Sequence, residues 1–417
     1  MQIGDWNASM RDWSERTQRW VSVAFAVCVT ALGLCGSWFQ GSAFQQPDAS
    51  IYLEMAHGGP GMMPFASRQL GPLLARGLAQ APGVTVERGF VVEGLLALAI
   101  LACIVGFLTV RSGAPRWVLL AVGGLCFWTM QFAGLVLPDL LYAALLAVLL
   151  LLIRREWWMA AALMMLPLML ARESTWLTLA CLLWAARRHM HRGQMAVAVG
   201  AAAVGGWVVH WLAARALPNQ EGLPSLVYLA AKLPFNLLRN VLGVDVWANV
   251  YPSCGVPVWQ MPVALGSLRA IGACGMDWIE PVWMLGSALA AFGLLPLLLL
   301  RTRGACWRRG LVLIRFCVLY GAASFALAPL LGQSFLRLFE YGWPLFLVAL
   351  PLLLAAVTGF RSRGWAAAFV ALHLALSWMA WRVDGFRLLE FGIATYVVGG
   401  LLLWRGFVPR RQPDATG

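Results

Sequence analysis

Apolar residues occupy this chain in blocks that are long enough to cross a membrane, and each block ends at charged residues, Gly or Pro. A helix needs about 20 such residues to cross a hydrocarbon core of ~30 Å. The pattern predicts about twelve spans, at residues 20–39, 90–110, 117–136, 140–153, 157–170, 175–186, 194–214, 283–300, 310–331, 343–360, 364–381 and 391–407. We therefore expect an all-α polytopic membrane protein, with residues 1–417 forming a single transmembrane domain.

The composition agrees with this reading. Of 417 residues, 61% are hydrophobic and 12% are charged, and the mean hydropathy is +0.75. A soluble core cannot absorb so much apolar surface, whereas a bilayer accepts it. A soluble enzyme or a soluble binding domain is thereby excluded.

Arginine marks one side of the predicted membrane. It falls in the short loops of alternate connections, at Arg111, Arg116, Arg154, Arg155, Arg187, Arg188, Arg192, Arg301, Arg303, Arg308, Arg309, Arg361 and Arg363, and near both ends of the chain. By the positive-inside rule both termini are cytoplasmic, so the net charge of +13 indicates orientation and not nucleic-acid binding. A single Lys against 22 Trp is typical of a GC-rich bacterial genome, which would put the protein in the inner membrane with its outer face in the periplasm.

Two outer loops are long, the first at residues 40–89 and the fourth at residues 215–282. Loops of this length are commonly functional, and their apolar and aromatic content argues against disorder. Helical spacing at residues 50–57, 67–80 and 223–242 predicts interfacial helices, the last of them kinked by Pro234. We expect these helices to roof a cavity on the outer side.

A short helical hairpin indicates where that cavity lies. The residues between two cytoplasmic arginine pairs, at 154–155 and 187–188, must cross outward and return, which leaves about 15 residues or ~22 Å for each helix. The turn with Arg172 and Glu173 should therefore be recessed, like the tight preceding turn with Asp139. Charges at membrane depth cost at least ~2.5 to 3.5 kcal/mol, so they should face a wet cleft or one another. The plainer alternatives are an N-cap for Asp139 and a solvated ion pair for Arg172 and Glu173.

A third outer segment, at residues 333–341, carries Arg337, Glu340 and Tyr341. The spacing of three puts Arg337 and Glu340 on one helical face. The segment either contributes to the cleft or forms a simple interfacial ion pair.

The first outer loop contains the most informative motif. Residues 47–52 read PDASIY and residues 64–74 read PFASRQLGPLL, so Asp48 and Tyr52 share a helical face and Arg68 follows. This pattern resembles the GT-C superfamily, polytopic glycosyltransferases that take a sugar from a polyprenyl-phosphate carrier on the non-cytoplasmic face. The resembling motif covers residues 48–74, and the topology extends the likeness over most of the chain. Asp48 stands alone where many members have paired acids, which leaves metal dependence and acceptor class open.

The resemblance implies roles for the outer polar residues. Asp48 would be the general base, with an N-cap as its alternative role, and Arg68, Arg172 and Arg337 would bind phosphate. Asp139 and Glu173 would orient these arginines or hold Mg²⁺ or Mn²⁺ together with Asp48. The remaining substrate-binding candidates are Tyr52, Glu340 and Tyr341. The implied partners are a polyprenyl-phosphate-sugar donor and a glycan, lipid or protein acceptor.

Other functions remain open at this stage. A lipid or solute transporter or flippase would place its polar groups near the bilayer midplane and commonly shows internal repeats, which the sequence lacks. An O-antigen polymerase or ligase would share the donor chemistry, and a non-catalytic membrane partner protein is the last alternative. Cys254 and Cys274 share the fourth outer loop and would form a disulfide in an oxidising compartment.

Overall fold

The computed structural model describes residues 9–39, 47–123, 136–218, 225–302, 311–355, 359–380, 382–383 and 385–407. Helix makes up 73% of it. The α-helices of the first half are α1 (Glu15–Phe39), α2 (Pro47–Ala56), α3 (Leu70–Leu78), α4 (Val86–Ser112), α5 (Asp139–Arg154), α6 (Trp158–Leu163), α7 (Met165–Ala171), α8 (Thr175–Ala186) and α9 (Arg192–Leu212). Those of the second half are α10 (Ser225–Asn236), α11 (Ile279–Ala291), α12 (Leu295–Arg301), α13 (Val312–Leu331), α14 (Phe335–Phe339), α15 (Leu350–Leu354), α16 (Arg363–Met379) and α17 (Gly385–Gly406).

Five described helices are long and apolar enough to cross a membrane: α1, α4, α9, α13 and α17. The number rises to seven if each of two bent pairs, α11 with α12 and Phe335–Gly342 with Pro344–Leu354, forms one span. The twelve predicted spans therefore stay a prediction, and span 117–136 lies mostly outside the described residues. What the structure supports is the coarser statement, a mostly helical chain compatible with an integral membrane protein.

The short hairpin has the lengths that its flanking arginines predict. Helices α6 and α7 together cover Trp158–Ala171, and α8 has 12 residues. At 1.5 Å per residue α8 is about 18 Å long, well short of the hydrocarbon thickness of ~30 Å. The turn between α7 and α8 holds Arg172 and Glu173 and is the one predicted to be recessed.

The first long loop folds into the two short helices that its spacing predicts, α2 and α3. Helix α3 packs on the start of α4, and Gly89 makes this close approach possible. A Cβ atom at position 89 would lie 2.5 Å from the carbonyl oxygen of Ala75 in α3. Tyr52 packs edge-on against Phe65 at a centroid distance of 6.1 Å, which joins α2 to the 3₁₀ turn Phe65–Ser67.

The second long loop contradicts the all-α prediction. After α10, which ends at Asn236 just beyond Pro234, and a π-helical turn at Leu237–Val241, the chain forms a three-stranded antiparallel sheet. Its strands are β1 (Val244–Ala248), β2 (Trp259–Leu265) and β3 (Leu268–Met276), in the order β1-β3-β2. Because the central strand β3 is rich in Gly and Ala and partly covered on both faces, its sequence lacks the alternation that identifies a strand.

A disulfide cross-links the sheet internally, and polar contacts join it to the helical bundle. Cys254 and Cys274 form a disulfide, the outcome that the sequence left open. Two buried asparagines attach the helical stalk below the sheet to the end of α13: Asn236 Nδ2 donates to the Leu330 carbonyl at 2.8 Å, and Asn240 Nδ2 donates to the carbonyls of Pro329 and Gly332 at 2.7 and 2.9 Å. These bonds satisfy carbonyls that a helix end leaves without partners.

A buried histidine supports the bend between α11 and α12, which amounts to 70°. The Leu294 backbone N–H donates to His373 Nδ1 at 3.1 Å, and His373 Nε2 lies 3.0 Å from the Ala121 carbonyl. Since Nδ1 accepts, the ring carries its proton on Nε2. The adjoining Gly293 has φ +48, and a Cβ atom there would lie 2.3 Å from His373 Nδ1, so the bend accepts no larger residue.

Replacing His373 by Ala is expected to destabilise the protein by at least about 1–3 kcal/mol, because the Leu294 N–H and the Ala121 carbonyl both lose their partner in a dry interior. The measurement is thermal unfolding in detergent. His210→Ala is the matched control, since His210 is exposed and its loss should leave the midpoint unchanged. Equal midpoints for the two variants would contradict the supporting role of His373.

Candidate functional site: an arginine–carboxylate cluster

Charged side chains from five separate segments meet at one end of the bundle. We name Asp48, Asp139, Glu173, Arg68, Arg172 and Arg337 the arginine–carboxylate cluster. They come from the first turn of α2, the start of α5, the turn between α7 and α8, the residue after the 3₁₀ turn Phe65–Ser67, and α14. In so apolar a chain each isolated charge would be costly, and collection into one cluster removes most of that cost.

Asp139 is the centre of the cluster and is only 5% exposed. Its Oδ1 accepts from Arg172 Nη1 at 2.6 Å and from Arg337 Nε at 3.1 Å, and it also accepts from the Tyr341 hydroxyl. Arg337 Nη2 lies 3.0 Å from Oδ2 of the same carboxylate. Asp139 is the first residue of α5, and Pro138 occupies the N-cap position without a side-chain capping bond. The Asp139 carboxylate binds these side chains instead, so Asp139 is not a simple N-cap.

Arg172 is held by more than its ion pair. Its guanidinium lies over the Tyr341 ring, 4.4 Å from the centroid, and its Nη1 also contacts the Tyr341 hydroxyl. The Tyr341 ring in turn packs edge-on against Tyr142, whose hydroxyl is 2.7 Å from that of Thr178 on α8. These contacts connect the turn between α7 and α8 to the segment that follows α14, so Arg172 has little freedom to move.

Arg68 joins the first long loop to the turn between α7 and α8. Its Nε and Nη2 donate to Oε2 and Oε1 of Glu173 at 3.0 and 2.6 Å. This is a bidentate ion pair, whose charge-assisted hydrogen bonds are stronger than those between neutral groups. Its Nη1 donates to the Tyr52 hydroxyl at 3.0 Å, and Ser67 Oγ donates to Glu173 at 3.3 Å. Burial raises the pKa of Glu173, but the Arg68 guanidinium outweighs it and brings the pKa down to about 2, so Glu173 is ionised at neutral pH.

Asp48 is the least constrained carboxylate of the cluster. Its side chain is 27% exposed, against 6% for Asp139, and its Oδ2 accepts from Arg337 Nη1 at the longer distance of 3.3 Å. Arg337 thus joins Asp48 to Asp139. The Glu173 side chain is more exposed, at 39%, but Arg68 binds both of its oxygens at 3.0 and 2.6 Å. Asp48 is therefore the accessible carboxylate whose contact with arginine is the weaker.

A small cavity of ≈ 20 Å³ adjoins the cluster, lined by Asp139, Leu140, Ala143, Arg337, Glu340, Tyr341 and Trp343. This is room for one water-sized group. Glu340 is 9% exposed and its Oε1 has no partner, and the indole nitrogen of Trp343 likewise has none. The cavity therefore presents unsatisfied polar atoms beside the central carboxylate.

All nine residues that the sequence singled out lie in or beside the cluster: Asp48, Tyr52, Arg68, Asp139, Arg172, Glu173, Arg337, Glu340 and Tyr341. Sequence reasoning missed Ser67 and Trp343. Trp is so frequent here that no sequence signal distinguishes Trp343. The alternative of a simple Arg337 and Glu340 ion pair is not what the structure has, because Arg337 binds Asp48 and Asp139.

The three carboxylates do not fit a divalent cation. Arg337 lies between Asp48 and Asp139, and Arg68 holds both oxygens of Glu173. Within the described ranges, no three His, Cys, Asp or Glu side chains are grouped so that they could hold a metal ion. Arginine supplies the positive charge at the positions where the metal alternative would need Mg²⁺ or Mn²⁺.

The cluster combines an accessible carboxylate, three guanidinium groups with balancing acids, and a short apolar helix alongside. It is suited to proton abstraction next to a bound anion. No protein-family model, no curated protein and no solved structure matches the chain.

Proposed function

We propose that this chain is a membrane glycosyltransferase of the GT-C type, which moves a sugar from a polyprenyl-phosphate donor to an acceptor hydroxyl on the non-cytoplasmic face. One observation carries the proposal: the accessible carboxylate of Asp48 contacts Arg337 at 3.3 Å, and Arg337 is itself held by the buried Asp139. A base and an anion-binding group are thereby adjacent, as transfer from a phosphate requires. The sugar and the acceptor are set by pocket shape.

The reaction assigns one role to each partner. Asp48 accepts the proton of the acceptor hydroxyl, whose oxygen forms a bond to the anomeric carbon of the sugar. The bond between that carbon and the phosphate oxygen breaks, and the polyprenyl phosphate leaves with the electron pair. One negative charge thus disappears from Asp48 while one appears on the phosphate.

Arg337 couples these two charge changes. When Asp48 takes the proton its carboxyl becomes neutral, and the Nη1 group of Arg337 loses its charged partner. That group is then available to the leaving phosphate, while Nε and Nη2 stay bound to Asp139 and keep the guanidinium in place. The interaction strengthens as the reaction proceeds, which is the condition for lowering the barrier.

The lipid part of the donor needs an apolar approach to the cluster. Helix α3 begins two residues after Arg68, and its Leu73 and Leu74 are 44% and 41% exposed. Such side chains on an amphipathic helix are typical of contact with acyl or prenyl chains. They support a lipid-linked donor over a soluble sugar nucleotide.

A transporter is the second candidate, because the 70° break between α11 and α12 is a feature of transporters with discontinuous helices. In those proteins the free backbone groups at the break bind the substrate or ion. Here the Leu294 N–H at the break is bound by His373. The break is thus filled by the protein's own side chain, which favours the enzyme.

Binding of polyprenyl monophosphate, the product of transfer, tests the proposal. In nanodiscs we expect Arg337→Gln to weaken this binding by about 10- to 100-fold, the value of one or two charge-assisted hydrogen bonds. Arg239→Gln is the matched control, because Arg239 forms an ion pair of similar burial with Glu280 outside the cluster. It should bind like the wild type.

Equal affinities for the two variants would remove Arg337 from phosphate binding. A wild-type protein that binds no polyprenyl phosphate, and transfers sugar from none of a panel of polyprenyl-phosphate sugars, would overturn the glycosyltransferase.

A further inference from the structure

The sheet of the second long loop exposes an apolar surface that is unsuited to water. Val256 and Val258 are 85% and 83% exposed, and Trp259 is 56% exposed. Met261 and Leu265 of β2 are also more than 40% exposed. We name residues 256–265 the apolar edge. Contiguous exposed side chains of this kind indicate a surface that contacts lipid or another protein.

The charge of this unit is equally unusual. Arg269 is the one charged residue between Val246 and Met276. In soluble domains about a quarter of the residues are charged, and charged side chains commonly protect edge strands from pairing with other chains. Strand β2 is an edge strand without a single charge, and its polar groups are Gln260 and the outward backbone groups of the open edge.

One end of the sheet is held beside α13, which is long enough to cross a membrane, and beside α11, which is long enough only together with α12. The Asp277 N–H donates to the Gly243 carbonyl at 2.6 Å, which clasps the end of β3 to the start of β1. Below the clasp, Asn240 bonds to the end of α13, and α11 begins at Ile279. Met276, Trp278 and Ile279 are themselves 62%, 57% and 56% exposed, so exposed apolar side chains recur on both sides of the exposed Asp277, between the sheet and α11.

Another part of the sheet, including Val263 of the apolar edge, is already covered. Ala248 and Leu268 are buried against Tyr228 of α10, with Val263 and Ile271 beside them. Strand β3 has nine residues and is therefore about 30 Å long.

We infer that the apolar edge lies in the interfacial layer of the outer leaflet, where its apolar side chains reach the acyl chains and the open backbone edge of β2 stays hydrated, so that the sheet is a lateral membrane anchor beside the helical bundle. Its occupant is lipid, because exposed apolar side chains recur at Met276, Trp278 and Ile279 on the way to α11 and because the edge offers no charge for a polar partner. Trp259 is typical of residues at the level of the headgroups. The insertion depends on apolar contact, so it occurs equally in zwitterionic and anionic membranes.

The test places an environment-sensitive fluorescent amino acid at position 256 of the full chain, reconstituted in phosphatidylcholine vesicles. Lipids brominated in the acyl chain are expected to quench this label, and aqueous iodide is expected to have little effect. The matched control is the same label at position 80, since Gln80 is an exposed residue of a turn in the first long loop; there iodide should quench and bromolipid should not. A gel shift that reports the Cys254–Cys274 disulfide confirms that the sheet has formed.

Each result decides the inference. Bromolipid quenching at position 256 that is several-fold stronger than at position 80, and unchanged when anionic lipid is added, supports it. Iodide quenching at position 256 in vesicles overturns it. Protection from both quenchers together with cross-linking between two copies also overturns it, in favour of an interface between chains. None of these results depends on glycosyl transfer, so the anchor and the proposed activity stand or fall separately.

Discussion

Asp48→Asn is expected to lower the rate of sugar transfer by about 10²- to 10⁴-fold, the contribution of a positioned general base. The amide oxygen of Asn still accepts from Arg337, so the geometry of the cluster is retained while the proton acceptor is lost. The loss should fall on turnover, whereas polyprenyl monophosphate should bind as tightly as to the wild type or more tightly, because the neutral amide resembles the protonated Asp48 that makes Arg337 Nη1 available to phosphate. Radiolabelled transfer in nanodiscs measures the first, and equilibrium binding of polyprenyl monophosphate measures the second.

Glu54→Gln is the matched control for this variant. Glu54 lies on the same short helix α2 but is exposed and outside the cluster, so its neutralisation should leave turnover unchanged. If both variants transfer sugar at the wild-type rate, Asp48 is not the base. If Asp48→Asn loses donor binding as well, its role is positioning of Arg337.

Loss of the central carboxylate should have the largest effect on stability. Asp139→Asn leaves Arg172, whose side chain is 9% exposed, without a charged partner, and breaking a buried pair in this way costs about 3–5 kcal/mol. Adding Arg172→Met removes the stranded charge. The double variant should therefore be more stable than Asp139→Asn alone, because Arg337 retains Asp48.

Unfolding in detergent, followed by the thermal midpoint, measures this reversal. The control is Arg19→Gln at an exposed pair, since Arg19 and its partner Glu15 are both 71% exposed and Glu15 keeps its second partner, Arg111. Exposed pairs contribute about 0–1 kcal/mol, so this change should be nearly silent. If the loss of stability in the double variant equals the sum of the losses in Asp139→Asn and Arg172→Met, the two residues stabilise the fold independently.

The site residues could be predicted because charge is scarce in this chain. Where few charged residues exist and each is costly at membrane depth, those in tight outer turns become candidates, as Asp139, Arg172 and Glu173 did. The length of the short hairpin added a geometric reason to expect the turn with Arg172 and Glu173 to be recessed. The partners of Arg337 could not be predicted from local spacing. Helix α14 ends at Phe339, so Glu340 lies in a 3₁₀ turn. The acids that Arg337 binds, Asp48 and Asp139, come from distant segments.

Two parts of the fold, the sheet and the bend between α11 and α12, could not be predicted from the sequence. The sheet lacks alternation, since Gly and Ala in β3 give no face a distinct polarity. The bend between α11 and α12 interrupts an apolar run that reads as one span at residues 283–300. It depends on His373, which lies 79 residues from Leu294 along the chain. Long-range contacts of this type leave no local pattern.

The Cys254–Cys274 disulfide has a consequence for how the protein can be made and followed. Structural disulfides form in oxidising compartments and not in the reducing cytosol. The bond would therefore report the sidedness of the membrane by chemistry that is independent of arginine counting. Asn240 ties this part of the chain to the α13 end, a few residues before Arg337. A host with a defective oxidative folding pathway should accordingly yield protein whose two thiols react with maleimide, which offers a simple quality check before any assay.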